Sequence, residues 1–469
     1  MKIRLILFSI LFTGVFAFNL RAEIVLPAIF GDHMVLQQQT DAAIWGKASP
    51  GGYIDIVTSW DDQMYETRAG GDGSWEIRVR TPSAGGPYEI TISDGQELKL
   101  SNVLIGEVWI CSGQSNMVMP MKGYRNEPIT GSNEEIVTSG NDNIRLFTVS
   151  RNKSLDPLDD LSGQWQECIP VNVSEFSATA YFFAKMVHQA LGVPVGMINS
   201  SWGGTRIEPW MSEQGIKKFD WVTLPDKSQT GDFSQQLPTV LYNAMIKPLT
   251  GFSARGVLWY QGESNRLEPD RYAGLMAGLI ENWRNEFGIG EMPFYYVQIA
   301  PFDYGVSTVN SAFLREAQLK ASTVLPNTGM ASLMDAGDKN FIHPAGKKAA
   351  GQRLAYLALA KTYNMSGFEC SGPVLKEMEI EGSMVKLTFN HAANGLTTFG
   401  RELVNFKVAG ENRIFHNANA FITREGITLS APQVANPVAV RYAFEDFVIG
   451  ELFNTEGLPA SSFRTDDWD

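Results

Sequence analysis

The sequence predicts an α/β protein in which a doubly wound parallel sheet is flanked by two β modules. Strand-like and helix-like segments alternate between residues 105 and 365. Residues 23–104 and 366–469 instead carry short alternating strands separated by glycine- and proline-rich turns. Strands that alternate with helices of ten or more residues are typical of βαβ units, whose parallel sheet is covered by helices on both faces.

Residues 1–22 have the pattern of a secretory signal peptide. Lys2 and Arg4 precede an apolar run from Leu5 to Phe18, and Val15-Phe16-Ala17 offers a small-residue cleavage site. The run is too short and too early for a spanning helix, and no other segment approaches the roughly 20 apolar residues that a span needs. We therefore expect a secreted or periplasmic protein without a membrane span.

Residues 23–104 are predicted to form a β-sandwich or jelly-roll-like module. Apolar and polar residues alternate in short runs such as Tyr53–Val57 and Trp75–Val79, and turns such as Pro50-Gly-Gly separate the runs. Regularly spaced short strands with such turns are typical of sandwiches. The same alternation returns between residues 366 and 469, for example at Val385–Phe389, and predicts a second β module there.

Residues 105–365 carry the predicted α/β domain. The segment from Ser177 to Leu191 shows helical spacing of its apolar residues and ends at Gly192, which is a helix stop signal. The other elements are predicted in the same way. The predicted strands are 107–111, 195–199, 256–260, 294–299 and 329–334, and the predicted helices are 177–191, 271–287, 313–323 and 344–363.

The composition excludes some classes of function. The formal net charge of −13 argues against a nucleic-acid-binding protein, because such proteins are normally basic. The three cysteines, at positions 111, 168 and 370, are too few and too widely spaced for a disulfide framework. No His/Cys cluster has the spacing of a metal site, so we expect neither a metal nor an organic cofactor.

Four polar or glycine-rich loops follow predicted strands, at the edge where open α/β sheets bind ligands. These loops are Gly113–Met117, Ser200–Arg206, Gln261–Asn265 and Asp335–Pro344. Several hydrolase folds expose a nucleophilic serine where a strand enters a tight turn, as Ser115 does here. Met117 replaces the last glycine of Gly-x-Ser-x-Gly, which indicates a serine hydrolase of a fold other than the α/β-hydrolases.

Acyl transfer by Ser115 needs a base and oxyanion donors, and the other loops offer candidates for both. Among the five histidines, only His343 follows a strand of the predicted α/β domain in this way. Gly203 allows its backbone N–H to come close to a reacting oxygen. Gln261 offers a side-chain N–H for the same oxygen.

The four loops carry motifs that together resemble the sialate O-acetylesterase family of SGNH/GDSL-type hydrolases. The motifs, in chain order, are Gly-Gln-Ser-Asn-Met at 113–117, Trp-Gly-Gly-Thr at 202–205, Trp-Tyr-Gln-Gly-Glu-Ser-Asn at 259–265 and Ile-His-Pro at 342–344. Met-Val-Leu-Gln at 34–37 and the C-terminal segment 457–468 extend the resemblance over nearly the whole mature chain.

The resemblance implies an SGNH-type esterase core that removes acetyl groups from sugar hydroxyls through an acetylated serine. Carried over to this chain, Ser115 is the nucleophile and His343 the base. The N–H groups of Ser115 and Gly203 and the side chain of Gln261 form the oxyanion hole. The family name implies 9-O-acetyl sialic acid as the substrate, with acetylated xylan or another polysaccharide as the alternative.

One position departs from the family pattern. Relatives carry an aspartate two or three residues before the histidine, where this chain has Phe341 and Asn340. We expect Asp338 to orient the imidazole instead, with Asp335 or a backbone carbonyl as the alternatives.

Four residues are candidates for contacting the sugar, although core packing or solvent exposure explains each one as well. They are Trp202, Arg206, Glu263 and Asn265, and two further aromatic candidates are Trp210 and Tyr260. Two functions of other classes stay open. One is a glycosidase in which Glu263 is paired with Glu107 or Asp338. The other is a carbohydrate-binding protein without catalysis.

Overall fold

The computed structural model describes residues 23–305 and 309–468. The predicted signal peptide, residues 1–22, lies outside the described residues. Within the described part of the chain, no helix has both the length and the apolar character needed to cross a membrane.

The described residues form twenty-three strands and eight α-helices. The N-terminal strands are β1 Val35–Gln37, β2 Asp41–Lys47, β3 Tyr53–Thr58, β4 Met64–Arg68, β5 Ser74–Arg80, β6 Gly85–Ser93 and β7 Glu97–Gly113. The next strands are β8 Asn141–Thr148, β9 Trp165–Cys168, β10 Val195–Ser201, β11 Gly256–Tyr260, β12 Phe294–Val297 and β13 Thr328–Ala331. The C-terminal strands are β14 Val374–Glu381, β15 Met384–Asn390, β16 Leu396–Thr397, β17 Phe406–Ala409, β18 Phe415–Asn417, β19 Asn419–Ile422, β20 Ile427–Ser430, β21 Ala439–Tyr442, β22 Phe453–Asn454 and β23 Phe463–Arg464.

The α-helices lie mainly between the central strands. They are α1 Ser115–Val118, α2 Ser132–Val137, α3 Pro170–Glu175, α4 Ala178–Leu191, α5 Glu213–Ile216, α6 Pro269–Phe287, α7 Ala312–Ala321 and α8 Lys347–Lys361. Shorter 3-10 or π segments occupy Glu208–Trp210, Tyr242–Ile246, Lys247–Leu249 and Glu263–Asn265.

The central sheet has the strand order β13-β12-β11-β7-β10-β8-β9. Every neighbouring pair in this order is parallel except the edge pair of β8 and β9. The carboxyl ends of β7, β10, β11 and β13 therefore open at the same edge, and the four loops singled out in the sequence follow these strands.

Helices cover both faces of this sheet. Alternate residues of β11 pack into two different apolar clusters: Val257 and Trp259 into one, and Leu258 and Tyr260 into the other. The first cluster includes residues of α6 and α7, whereas the second includes residues of α4 and α8. The predicted α/β class is confirmed, but the sheet is mixed, because β9 pairs antiparallel with β8 and β6 pairs antiparallel with β7.

Strand β7 joins the N-terminal strands to the central sheet. It pairs antiparallel with β6 and parallel with β1, and its second half pairs with β10 and β11. The strand crosses the boundary predicted between residues 104 and 105, so the N-terminal β region and the α/β region share it. The C-terminal strands form two four-stranded sheets, β14-β15-β20-β19 and β18-β17-β21-β23, and one two-stranded sheet, β16-β22.

The helix boundaries follow local signals in the sequence. The side chain of Ser177 accepts a hydrogen bond from the N–H of Ala180 at the start of α4, and Gly192 ends that helix in the left-handed region at φ 69°. The predicted helix 344–363 begins later, at Lys347, so His343 and Pro344 lie in the loop before α8.

Candidate active site

The nucleophile turn begins where two parallel strands come into close contact. Gly113 has φ +131°, and a Cβ there would lie 2.1 Å from the carbonyl oxygen of Tyr260 on β11. Only glycine fits both the conformation and the space. The N–H of Gln114 donates to that same carbonyl at 2.9 Å, and Ser115 then opens the short helix α1. The turn thus places Ser115 at the carboxyl edge of the sheet.

His343 is held by a carboxylate from a distant loop. Its Nδ1 lies 2.6 Å from Oε2 of Glu127, and Nδ1 is the donor because an ionised carboxylate only accepts. This bond leaves Nε2 as the unprotonated nitrogen of the neutral ring. The ring of Tyr124 packs edge-on against the imidazole at 5.2 Å, and the hydroxyl of Tyr124 donates to the carbonyl of Ser115 at 3.0 Å. The segment from Tyr124 to Glu127 therefore contacts both Ser115 and His343.

Burial and two neighbouring charges of opposite sign shift the pKa of His343. Burial lowers the pKa of the imidazole, the bond to Glu127 opposes this effect, and the positive charge of Lys347 lowers the pKa further. The net pKa of His343 is below its ordinary value. The ring is thus mainly neutral at pH 7, as a general base requires.

The two aspartates that we expected to orient His343 bind other groups instead. Oδ1 of Asp338 accepts the backbone N–H groups of Asn340 and Phe341 at 2.8 and 3.1 Å, so this carboxylate caps its own loop. Both oxygens of Asp335 pair with Arg353 at 2.7 Å. The partner of Nδ1 is Glu127. The prediction that Asp338, Asp335 or a backbone carbonyl orients His343 is therefore wrong.

Gly203 lies against the nucleophile. A Cβ at this position would be 3.3 Å from Cβ of Ser115, and the N–H of the preceding Trp202 donates to the carbonyl of Gly113 at 3.1 Å. The loop after β10 is therefore fixed to the turn that carries Ser115. The structure brings Gly203 to Ser115, as the proposed oxyanion pair requires.

The structure uses Gln261 differently from our prediction. Its side chain is fully buried. Nε2 donates to the carbonyl of Thr205 at 3.1 Å and to Oδ1 of Asn265 at 2.8 Å, so both amide hydrogens are used inside the protein. Oε1 accepts from the hydroxyl of Tyr272 at 2.9 Å. Gln261 fixes the loop after β11 and has no hydrogen left for an oxyanion.

Two of the predicted sugar contacts are buried. Asn265 is 1% exposed, accepts the N–H of Ile207 and donates to Glu208. Glu263 is also buried, and its Oε1 accepts Nδ2 of Asn116 at 2.6 Å. Burial raises the pKa of Glu263. Both residues therefore stabilise the loop from within, contrary to the prediction that they contact a sugar.

Arg206 is already paired with two carboxylates. Its guanidinium donates to both oxygens of Glu208 and to Glu268. The hydrogen bonds and charges of these two partners raise its pKa despite burial. The positive charge predicted to bind a sugar carboxylate is thus offset inside the protein.

Among the aromatic candidates, Trp202 alone is partly exposed, whereas Trp210 and Tyr260 are fully buried in the core. The guanidinium of Arg151 lies 5.9 Å from the Trp202 ring. Trp202 therefore keeps the access that contact with a sugar ring requires. Within residues 23–305 and 309–468, no group of three or more His, Cys, Asp or Glu side chains is arranged to hold a metal ion.

Sequence reasoning did not find Tyr124, Glu127, Asn116 or Lys347. Asn116 is part of the Gly-Gln-Ser-Asn-Met motif, and its position after Ser115 was a usable signal. Lys347 follows the Ile-His-Pro motif closely, but a lysine at a helix start is ordinarily exposed. Nothing in the sequence around Glu127 distinguishes it from a surface carboxylate.

Comparisons with known proteins show the family to which the chain is similar. Residues 105–360 match the family described as "Carbohydrate esterase, sialic acid-specific acetylesterase". The chain is 31% identical to the sialate O-acetylesterase of Homo sapiens over 394 residues, which cover 74% of this chain and 72% of the relative. It is 28% identical to the sialate O-acetylesterase of Rattus norvegicus over 424 residues, which cover 76% of this chain and 78% of the relative.

A solved structure resembles nearly the whole chain. It is a carbohydrate acetylesterase from Xanthomonas citri, with a TM-score of 0.88 and 35% sequence identity. The superposition covers 95% of this chain and 100% of the other protein.

Proposed function

The chain belongs to the sialic acid-specific acetylesterase family of carbohydrate esterases, and on that premise we propose that Ser115 carries the acetyl group during catalysis. The protein is a carboxylic ester hydrolase that acts on O-acetylated sugars. The observation that carries the proposal is the hydrogen bond between His343 and Glu127, together with the packing of Gly203 against Ser115.

In the proposed first step, Oγ of Ser115 attacks the carbonyl carbon of the acetyl ester while Nε2 of His343 takes its proton. The new C–O bond forms as the carbonyl π electrons move onto oxygen. The N–H groups of Ser115 and Gly203 donate to that oxyanion. Collapse of the intermediate breaks the bond to the sugar oxygen, which receives the proton from His343. The products are the free sugar hydroxyl and acetyl-Ser115.

In the second step, water replaces the sugar. His343 accepts a proton from water, the oxygen of water attacks the acetyl carbon, and the bond to Ser115 breaks. His343 returns its proton to Oγ of Ser115, and acetic acid leaves. Glu127 holds the Nδ1–H in both steps and stabilises the imidazolium that forms in each.

We propose O-acetylated sialic acid as the substrate because the curated relatives carry that activity in their names. A neutral acetylated polysaccharide such as acetylxylan is the second candidate. The ion pairs of Arg206 with Glu208 and Glu268 favour the neutral polysaccharide, because these carboxylates already neutralise the guanidinium that would bind a sialate carboxylate. We also propose export of the protein, on the signal-peptide pattern of residues 1–22.

The glycosidase alternative is not supported by the positions of its carboxylates. Glu107 lies on β7 six residues before Gly113, which places it roughly 20 Å down the strand from the nucleophile turn. Glu107 pairs there with Arg255 at 2.7 Å. Asp338 caps its own loop. Both carboxylates are thus engaged by groups other than Glu263.

The Ser115→Ala variant tests the proposed nucleophile. We expect hydrolysis of p-nitrophenyl acetate to fall by at least about 10³-fold, while binding of the sugar is kept. Ser150→Ala removes an exposed hydroxyl and serves as the control with unchanged activity. Undiminished ester hydrolysis by folded Ser115→Ala would contradict the proposal. Acetate release from 9-O-acetyl sialic acid and from acetylated xylan then distinguishes the two substrate candidates.

A further inference from the structure

A buried cluster of three side chains joins the loops that carry Ser115 and His343. We call Asn116, Glu263 and Lys347 the Asn116 cluster. Nδ2 of Asn116 donates to Oε1 of Glu263 at 2.6 Å, and Nζ of Lys347 donates to Oδ1 of Asn116 at 2.5 Å. The three residues come from α1, from the loop after β11 and from the first turn of α8.

The same cluster also holds the backbone on both sides of His343. Nδ2 of Asn116 donates to the carbonyl of Ile342 at 3.2 Å, and Nζ of Lys347 donates to the carbonyl of Pro344 at 3.0 Å. Asn116 directly follows Ser115 in the chain. The peptide groups flanking His343 are therefore tied to the residue after Ser115.

Packing alone does not explain why these three polar side chains are buried. Asn116 and Lys347 are each 1% exposed, and Glu263 is 8% exposed. Oε2 of Glu263 has no hydrogen-bond partner among the described residues. Burying an ammonium and a carboxylate is costly, and apolar residues of similar volume often stabilise such a position better.

We propose that Lys347 and Asn116 are positioning residues that set the placement of His343 relative to Ser115, with Glu263 as their buried acceptor. This inference rests on the proposed roles of Ser115 and His343 in ester hydrolysis. It adds an electrostatic role for Lys347, because its charge faces the imidazole from α8.

The groups that act on His343 and Lys347 define the expected pH dependence. His343 faces Glu127 and Tyr124 from the segment before α2, and Lys347 from α8. Lys347 in turn faces Glu263 and Glu127, and its Nζ lies 5.8 Å from the Tyr260 ring. Burial lowers the pKa of Lys347 to about 7, although both glutamates oppose this shift. Below pH 7 Lys347 is therefore mainly positive, and it disfavours the imidazolium of His343.

The Lys347→Met variant tests the proposal through the pH profile of kcat/KM on p-nitrophenyl acetate. Removing the positive charge raises the pKa of His343, so the acidic limb of the profile moves to higher pH. Loss of the two hydrogen bonds also lowers kcat by about 10²-fold through misplacement of His343. A merely structural role for Lys347 would not move the acidic limb.

Two further variants separate charge from geometry. Lys347→Gln keeps a donor without the charge, so we expect the same movement of the acidic limb with a smaller loss of kcat. Asn116→Ala keeps the charge of Lys347 but removes the link to Ile342, so kcat falls while KM changes little. Lys348→Met is the matched control, because Lys348 is exposed and pairs with Glu135. Its profile should equal that of the wild type.

An acidic limb and a kcat equal to wild type in folded Lys347→Met or Lys347→Gln would overturn the positioning role. If Lys347→Met does not fold, Asn116→Ala decides the geometric part, and an unchanged kcat there also overturns the inference. These outcomes differ from failure of the proposed function. That failure appears as activity in Ser115→Ala, whereas failure of the positioning role leaves Ser115→Ala inactive.

Discussion

Glu127 and His343 are 216 residues apart in the chain, yet their side chains share a hydrogen bond of 2.6 Å. The bond fixes the tautomer and the orientation of the imidazole, which is the role that we expected for Asp338. In this chain the carboxylate comes from a loop that also supplies Tyr124. The chemical requirement is the same, although a different part of the chain meets it.

Glu127→Gln should lower kcat/KM for p-nitrophenyl acetate by about 10² to 10⁴-fold, since the amide no longer holds the Nδ1–H tautomer or stabilises the imidazolium. Glu127 opposes the lowering of the His343 pKa, so its neutralisation moves the acidic limb to lower pH. This direction is opposite to that expected for Lys347→Met. The pH profile of kcat/KM measures both effects.

Asp338→Asn is the matched comparison for Glu127→Gln. The asparagine keeps Oδ1 as an acceptor for the N–H groups of Asn340 and Phe341, so activity should stay close to wild type. The account of His343 fails if Asp338→Asn loses activity while Glu127→Gln keeps it.

At the residue scale, the sequence indicated the site residues that directly follow strands. It did not indicate contacts between residues that are distant in the chain. Ser115, Gly203 and His343 were selected because each follows a predicted strand at the carboxyl edge. Glu127 follows no such strand, so no local pattern marked it. Gln261 was expected to face the reacting oxygen, but hydrogen bonds to Thr205 and Asn265 turn it inward, and no sequence pattern reports such pairing.

At the scale of elements, the close approach of β7 and β11 determines the nucleophile turn. Gly113→Ala combines a strained φ of +131° with a Cβ 2.1 Å from the carbonyl oxygen of Tyr260. We expect a loss of about 3 kcal/mol or more in the free energy of unfolding, together with a loss of esterase activity. Urea unfolding and p-nitrophenyl acetate hydrolysis measure the two effects.

Gly131→Ala is the control for that substitution. Gly131 also has a positive φ, of +75°, but an added Cβ would meet no atom within 4 Å. Gly131→Ala should lower the free energy of unfolding by only about 1 kcal/mol, which is the strain of the left-handed conformation. Equal losses of unfolding free energy in Gly113→Ala and Gly131→Ala would mean that the contact with Tyr260 does not constrain the turn.

Elements with a clear apolar pattern were predictable, and elements without one were not. The helix predicted at 177–191 matches α4 because its apolar residues show a helical period, and the strand at 256–260 matches β11 because its residues are buried without interruption. Helix α2 has only six residues, Ser132–Val137, and most of them are polar. A helix of this length shows no apolar period, so nothing in the sequence indicated it.

At the scale of the whole molecule, Glu107 connects three distant parts of the chain. It lies on β7 with a side chain that is 1% exposed. It accepts hydrogen bonds from Gln38 in the N-terminal region, from Arg255 before β11 and from the hydroxyl of Tyr363 after α8. The shared strand β7 and this carboxylate together join the β region to the central sheet.

Glu107→Ala should lower the free energy of unfolding by about 3 kcal/mol, because it leaves the Arg255 guanidinium without its partner. Glu89→Ala removes an exposed pair with Lys99 and should change stability by no more than about 0.5 kcal/mol. Urea denaturation of the full chain measures both variants. A similar small effect for Glu107→Ala would show that Glu107 does not join these parts of the structure.

The α/β class was predictable from the alternation of strands and helices, but the continuity of β7 was not. Residues 97–102 are exposed or half-buried except for Leu100, whereas residues 103–113 are buried throughout. Such a strand reads as two separate elements in sequence, because its first half has one face toward solvent and its second half has neither. The predicted boundary at 104/105 falls within two residues of this change of environment.

The central claim is that Ser115 becomes acylated during ester hydrolysis. Its most direct test is peptide mass spectrometry after reaction of the full chain with a fluorophosphonate, which traps an activated serine at the acylation step. We predict a single adduct on the peptide that contains Ser115, and loss of this adduct in His343→Ala. An adduct on a different residue, or an enzyme that stays active without any adduct on Ser115, would contradict the account.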